Sequence, residues 1–264
     1  MTNPPALFRR VDATHFLPSE LTRGPWTPDA LHGGPPSALI VHALDADHPE
    51  PDKLLARLTV EILRPVPLVE LTVTTEVVRG GKRVSLLSAS IVAGDMEVVR
   101  AQGLRIRQRA MAGVPASVSS APEVTPESVA DRVTVFHPGP EPAFHRHGVE
   151  FRTVAGRLDE AGPVTVWARL IAPVVDGAEA SPVERVVALA DFGNGISWEL
   201  PMHTYLYINP DLTVHLSRAP VDEWIQMESR TILSEMGSGL AESALSDRMG
   251  RIGRSLQSLY VAPR

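Results

Sequence analysis

Shifted by 154 residues, this 264-residue chain overlays itself without a gap. Leu58-Thr59-Val60 falls on Leu212-Thr213-Val214, Arg64 on Arg218 and Arg100 on Arg254, with apolar matches at Leu71/Ile225, Val78/Ile232, Ile91/Leu245 and Val98/Ile252. A repeat of that period predicts two copies of one fold rather than a single large one.

Each copy reads in the same way. Leu58, Val60 and Ile62, then Val69, Leu71, Val73, Thr75 and Val77, alternate with mainly polar neighbours, the period of half-buried strands. Gly80-Gly81-Lys82 and Gly94-Asp95 are hairpin turns into 83–92 and 97–107, so four consecutive antiparallel strands are expected. Segments 213–217, 223–233, 240–246 and 251–261 repeat that meander. Ahead of the first set, Pro35 to Ala46 reads as a helix, since prolines cost little in a first turn whose N–H groups are unpaired anyway. Between Ala38 and Leu44 only His42 is polar, so the helix has almost no solvent face and a sheet must wrap it. His42 reads as a satisfied core residue. The second helix is Pro182 to Leu189, running into Asp191-Phe192-Gly193-Asn194-Gly195. Residues 111–143, rich in proline and serine and without sustained periodicity, read as a linker, which sets the halves at 1–110 and 144–264.

Composition narrows the chemistry. With no cysteine, thiol nucleophiles, disulfides and thiolate metal sites are excluded, so any catalysis uses oxygen or nitrogen groups. The net charge of −6 leaves neither half with the basic surplus that a phosphate backbone demands, and nucleic acid is not an expected partner. No Gly-x-Ser-x-Gly elbow and no Gly-x-Gly-x-x-Gly loop occurs, so neither an α/β-hydrolase esterase nor a cofactor is expected. His145-Arg146-His147 has strand spacing for two ligands on one face but no third, so no metal is expected. There is no membrane-length apolar run and no apolar leader behind Arg9 and Arg10, and a cytoplasmic location is the expectation.

A buried helix wrapped by a curved antiparallel sheet, occurring twice, resembles the double hotdog fold (α+β), and more specifically the acyl-CoA thioesterase II group and its thioesterase-like relatives. The landmarks are His32-Gly33-Gly34-Pro35-Pro36, the run from Arg57 to Pro67, the Asp191 segment, Leu212 to Arg218 and the final strand through Gln257. The resemblance implies a thioesterase in which an acid, a hydroxyl and an amide on the second half hold the attacking water. By position these fall on Asp191, Asn209 and Gln257. Asn209 departs from the family's usual threonine, and Thr213 is the fallback hydroxyl. His32, Gly33 and Gly34 stand where related single-domain enzymes meet the thioester carbonyl, and Trp26 is placed to line an acyl pocket. Acyl-CoA is the implied partner. Two other classes stay open: a hotdog that binds acyl-CoA or a lipid without turnover, and an enoyl-CoA hydratase. A monomer and a homodimer both fit a fusion that already supplies the usual hotdog pair.

Overall fold

The computed structural model describes residues 5–113, 120–129, 132–133 and 141–264. Strands β1 (Phe8–Arg10) and β2 (His15–Pro18) precede helix α1 (Gly34–Asp47), which is followed by β3 (Lys53–Ile62), β4 (Leu71–Arg79), β5 (Val84–Ala93) and β6 (Met96–Arg107). Then come β7 (Arg132–Val133), β8 (Val149–Ala155), β9 (Val164–Leu170), α2 (Pro182–Ala190) and α3 (Gly193–Ile196). The chain finishes with β10 (Tyr205–Ile208), β11 (Asp211–Leu216), β12 (Trp224–Leu233), β13 (Ser238–Asp247) and β14 (Gly250–Pro263).

These strands form one sheet in the order β1-β2-β4-β5-β6-β3-β11-β14-β13-β12-β9-β8-β7, with β10 also beside β14. The molecule is a double hotdog. Helix α1 is buried from Gly34 to Val41 and again at Ala43 and Leu44, as its unbroken apolar run requires. It packs on β4, β5 and α2, so the two helices meet inside the sheet.

One expectation needs correction. The first strand of each half does not join the meander at its hairpin end. β3 crosses over to pair with β6, and β11 likewise pairs with β14. Arg64-Pro65-Val66-Pro67 offers no two-residue turn after β3, so the chain travels across before β4 begins.

The crossover leaves β3 and β11 as neighbours, and their pairing joins the halves. Thr59 sits opposite Thr213, flanked by Leu58↔Val214 and Val60↔Leu212. Thr59 and Thr213 are also equivalent in the sequence repeat, so a pseudo-twofold axis passes between them.

The stretch read as a linker lies partly outside the described residues. Where it is described it touches the second half: the Trp167 indole donates to the Val124 carbonyl, and Arg152 donates to that of Pro126. His145 and His147 lie on a short helical turn, Phe144–Gly148, not on a strand, so the expected same-face spacing does not arise. Among the described residues no helix is long and apolar enough to cross a membrane.

Candidate active site

The second helix is built to stop at an acid. Ser181 caps its start, accepting from the Glu184 N–H while the Glu184 side chain accepts from the Ser181 N–H. The last turn of α2 ends on Asp191, and the chain re-enters a helical turn at Gly193. Gly193 is required there, because a Cβ on it would stand 2.7 Å from Gln257 Oε1. The break projects the Asp191 side chain into the space where the start of α1 meets the end of α2.

Four of the residues singled out by sequence converge at that point. Asn209 Nδ2 donates to Asp191 Oδ1 over 2.8 Å. Gln257 Nε2 donates to the same oxygen over 3.1 Å and to the Asp191 carbonyl over 3.0 Å. His32 Nδ1 lies 2.9 Å from Asp191 Oδ2. The carboxylate is 4% exposed and the His32 side chain 11%, so these contacts form almost out of water, where they are strong. Gln257 is fixed at its other end by accepting the Asn194 N–H over 3.0 Å. Its side chain is therefore a buried brace with both ends satisfied, where a solvent-facing strand residue would be open.

The start of α1 supplies the remaining polar group. Pro35 and Pro36 carry no N–H, and the Ser37 N–H is taken by the Gly33 carbonyl. The Gly33 N–H is left without a partner among the described residues, and Gly33 borders the same space. Gly33 must lack a side chain, since a Cβ would stand 2.8 Å from Asp191 Oδ2 and 2.9 Å from Ile62 Cδ1. Gly34 is tighter still, its Cβ position being 2.3 Å from the Ala188 carbonyl oxygen. Both glycines thus let α1 and α2 approach closely.

A cavity of about 40 Å³ opens here, lined by Trp26, His32, Gly33, Asp191, Asn194 and Asn209 among others. One water needs roughly 10–15 Å³ on this measure, so the space suits about three water-sized atoms. Trp26, 40% exposed, lies at its mouth. Thr213 is the one expected residue that goes elsewhere: its hydroxyl reaches Thr59 over 3.4 Å at the seam.

The aromatic wall was not foreseen. The His32 ring packs 4.5 Å from Phe192 and 5.3 Å from Phe144, and Phe151 closes edge-on against Phe192. Phe192, next to Asp191, was the only available signal; Phe144 sits in a proline-rich stretch with no period to expose it. His42 behaves as expected of a core histidine. Arg10 Nη2 donates to its Nε2 over 3.2 Å, which fixes the proton on Nδ1, and that proton goes to Glu184 Oε1 at 3.1 Å.

Residues 22–106 match the family model described as the acyl-CoA thioesterase N-terminal domain, and residues 116–261 match the C-terminal domain of the same family. No curated protein matches the chain. Among solved structures, a candidate thioesterase from Novosphingobium aromaticivorans DSM 12444 superposes with a TM-score of 0.72 at 20% identity, covering 96% of this chain and 98% of its own. A hot dog protein of unknown function from Alicyclobacillus acidocaldarius gives 0.71 at 16%, covering 97% and 95%. The tesB protein of Mycobacterium avium subs paratuberculosis gives 0.69 at 16%, covering 97% and 96%. At these identities the likeness speaks for the fold.

Proposed function

The chain belongs to the acyl-CoA thioesterase family, and from that premise we propose that it hydrolyses the thioester of an acyl-CoA in the cavity at Asp191. The observation that carries the reading is a nearly buried carboxylate held by two donor side chains, with His32 Nδ1 2.9 Å from its other oxygen, beside a space for a few water-sized atoms. Hydrolysis needs an ordered water, a base for its proton and donors for the oxyanion. Asp191 and Asn209 form the polar wall against which the water is held, and Gln257 braces the carboxylate from behind. The Gly33 N–H is the donor for the carbonyl oxygen as negative charge develops on it. In place of the family's threonine, Asn209 keeps one donor on the carboxylate, which preserves the brace. The rest of the acyl-CoA extends outward past Trp26.

Free CoA release, followed by thiol titration over a panel of acyl-CoA esters, tests this. The chain has no cysteine of its own, so the background is low. Asp191→Asn is expected to lower turnover by roughly 10²-fold or more with little change in KM. A variant that melts normally and turns over at the parent rate puts the chemistry elsewhere. Acyl-CoA that binds without CoA release supports a binding protein instead.

A further inference from the structure

An oxyanion has lone pairs for more than one donor, and the backbone at the start of α1 offers it one. Pro35 and Pro36 carry no N–H, the Ser37 N–H goes to the Gly33 carbonyl, and the Gly34 N–H goes to His32 Nδ1 over 3.2 Å, which leaves that of Gly33. Three amide side chains stand at the site, and two of them are engaged. Asn209 Nδ2 donates to Asp191 Oδ1 and to the Asp211 carbonyl, and Gln257 Nε2 donates to Asp191 Oδ1 and to the Asp191 carbonyl. The third is Asn194, from the short helical turn α3, and it borders the cavity. Asn194 is 6% exposed, and among the described residues its side-chain amide makes no hydrogen bond. Its backbone serves the fold instead, through the N–H that Gln257 Oε1 accepts over 3.0 Å.

Resting on the thioesterase reading, we infer that the Asn194 side chain is a catalytic residue, its Nδ2 donating to the thioester carbonyl oxygen alongside the Gly33 N–H. A nearly buried amide with no protein partner is unfavourable, because it has left bulk water without replacing those hydrogen bonds. Neither of its polar atoms is sealed among protein atoms, and the space Asn194 borders is the reaction cavity. A ligand atom seated there completes it. The cavity holds about 40 Å³, so an oxygen within it lies close to every wall, Gly33 and Asn194 included. A neutral amide also suits this place, since it stabilises negative charge without adding a charge beside the Asp191 carboxylate.

The step balances without any other reactant. As the water oxygen bonds to the thioester carbon, one of its protons passes to the Asp191 carboxylate, and the carbonyl π pair moves onto oxygen between the two donors. Collapse re-forms that carbonyl and breaks the C–S bond. The proton on Asp191 then goes to the departing sulfur, giving free acid and CoA thiol. Asn194 keeps both amide protons throughout.

Asn194→Ala removes the amide and leaves the backbone N–H on Gln257. Its kcat for CoA release should fall by roughly 10²–10³-fold, with KM within about threefold of the parent. Affinity for a trifluoromethyl ketone analogue of the acyl-CoA, whose hydrated carbon imitates the tetrahedral intermediate, should fall by a similar factor. Affinity for a thioether analogue, which has no carbonyl oxygen, should stay at the parent's value. The melting temperature should hold or rise, because the amide removed has no partner in the protein. A variant with the parent's kcat, or one that loses affinity for both analogues alike, overturns the inference and leaves the thioesterase standing. So does a variant that fails to fold or melts well below the parent, since the amide would then be holding the structure. A parent that releases no CoA removes both readings.

Discussion

At Gly33 a single methyl group separates a working arrangement from a blocked one. A Cβ there would press on the Asp191 carboxylate and on Ile62 at once, and the carboxylate cannot withdraw easily, since Asn209 and Gln257 both donate to it. Gly33→Ala is therefore expected to shift the carboxylate. Overpacking should cost about 1–3 kcal/mol of stability, and the misplaced group roughly 10²-fold in CoA release. A melting curve and the thiol assay on one preparation check both, and parental activity in this variant would show that the site tolerates the displacement. Much of this site was legible in sequence, because Asp191, Asn209 and Gln257 follow one another in the order of a known pattern. Their meeting with His32 was not. It depends on how closely α1 and α2 pack, and that in turn on two glycines whose need is visible only when the opposing atoms are known. Thr213 misled for a related reason: its register opposite Thr59 is a property of the β3–β11 pairing, which no local pattern specifies.

Among the elements, helices and strands were legible and strand order was not. Alternation marks a strand and says nothing about its neighbour, and only a tight turn forces two strands to pair. The crossover after β11 shows what fills the role of the missing turn. Arg218 Nη1 and Nη2 each reach a carboxylate oxygen of Asp247 over 2.5 Å, and the Val221 and Met249 N–H groups donate to the same carboxylate. The loop between β11 and β12 is thereby tied to the β13–β14 hairpin. Burial alone would push the Asp247 carboxyl up, but the Arg218 hydrogen bonds and the two backbone donors hold it below the usual range. A carboxyl depressed by folding adds stability that is present above its unfolded range, near pH 4, and is lost as pH falls through the folded value. Asp247→Asn is thus expected to cost about 3 kcal/mol at neutral pH, the low end for a broken buried pair. The low end applies because the Arg218 side chain remains 32% exposed to water. The difference in Tm between parent and variant should narrow as the melts are taken to more acid pH, and a constant gap would show that packing rather than charge carries the contribution. In the first half Ala93 stands at the position of Asp247 and Arg64 is exposed, so this tie is a device of one repeat only.

Across the whole molecule, the site belongs to neither repeat. His32 and Gly33 lie just ahead of α1, Asp191 at the end of α2, Asn209 in the turn between β10 and β11, and Gln257 on β14. What holds them in register is the β3–β11 seam, where the halves pair through backbone hydrogen bonds about the pseudo-twofold at Thr59 and Thr213. We propose the halves as 1–110 and 144–264 with 111–143 between them, and the seam makes this division testable. Neither piece should release CoA alone, for the first lacks Asp191, Asn209 and Gln257 and the second lacks His32 and Gly33. Each would also expose one strand of the seam, with the apolar side chains of Leu58 and Val60 or of Leu212 and Val214 beside it, and an unpaired strand edge recruits a partner. Co-expressing 1–110 with 111–264 as separate chains should therefore yield a one-to-one complex that restores CoA release. Proline at Val214 should abolish that assembly by removing a backbone donor from the seam strand. Size-exclusion chromatography and the thiol assay on the same fractions give the answer. Pieces that fold and turn over separately would mean that each half carries its own site, and a co-eluting but inactive complex would mean that the covalent connection, not the seam, sets the distance between His32 and Asp191.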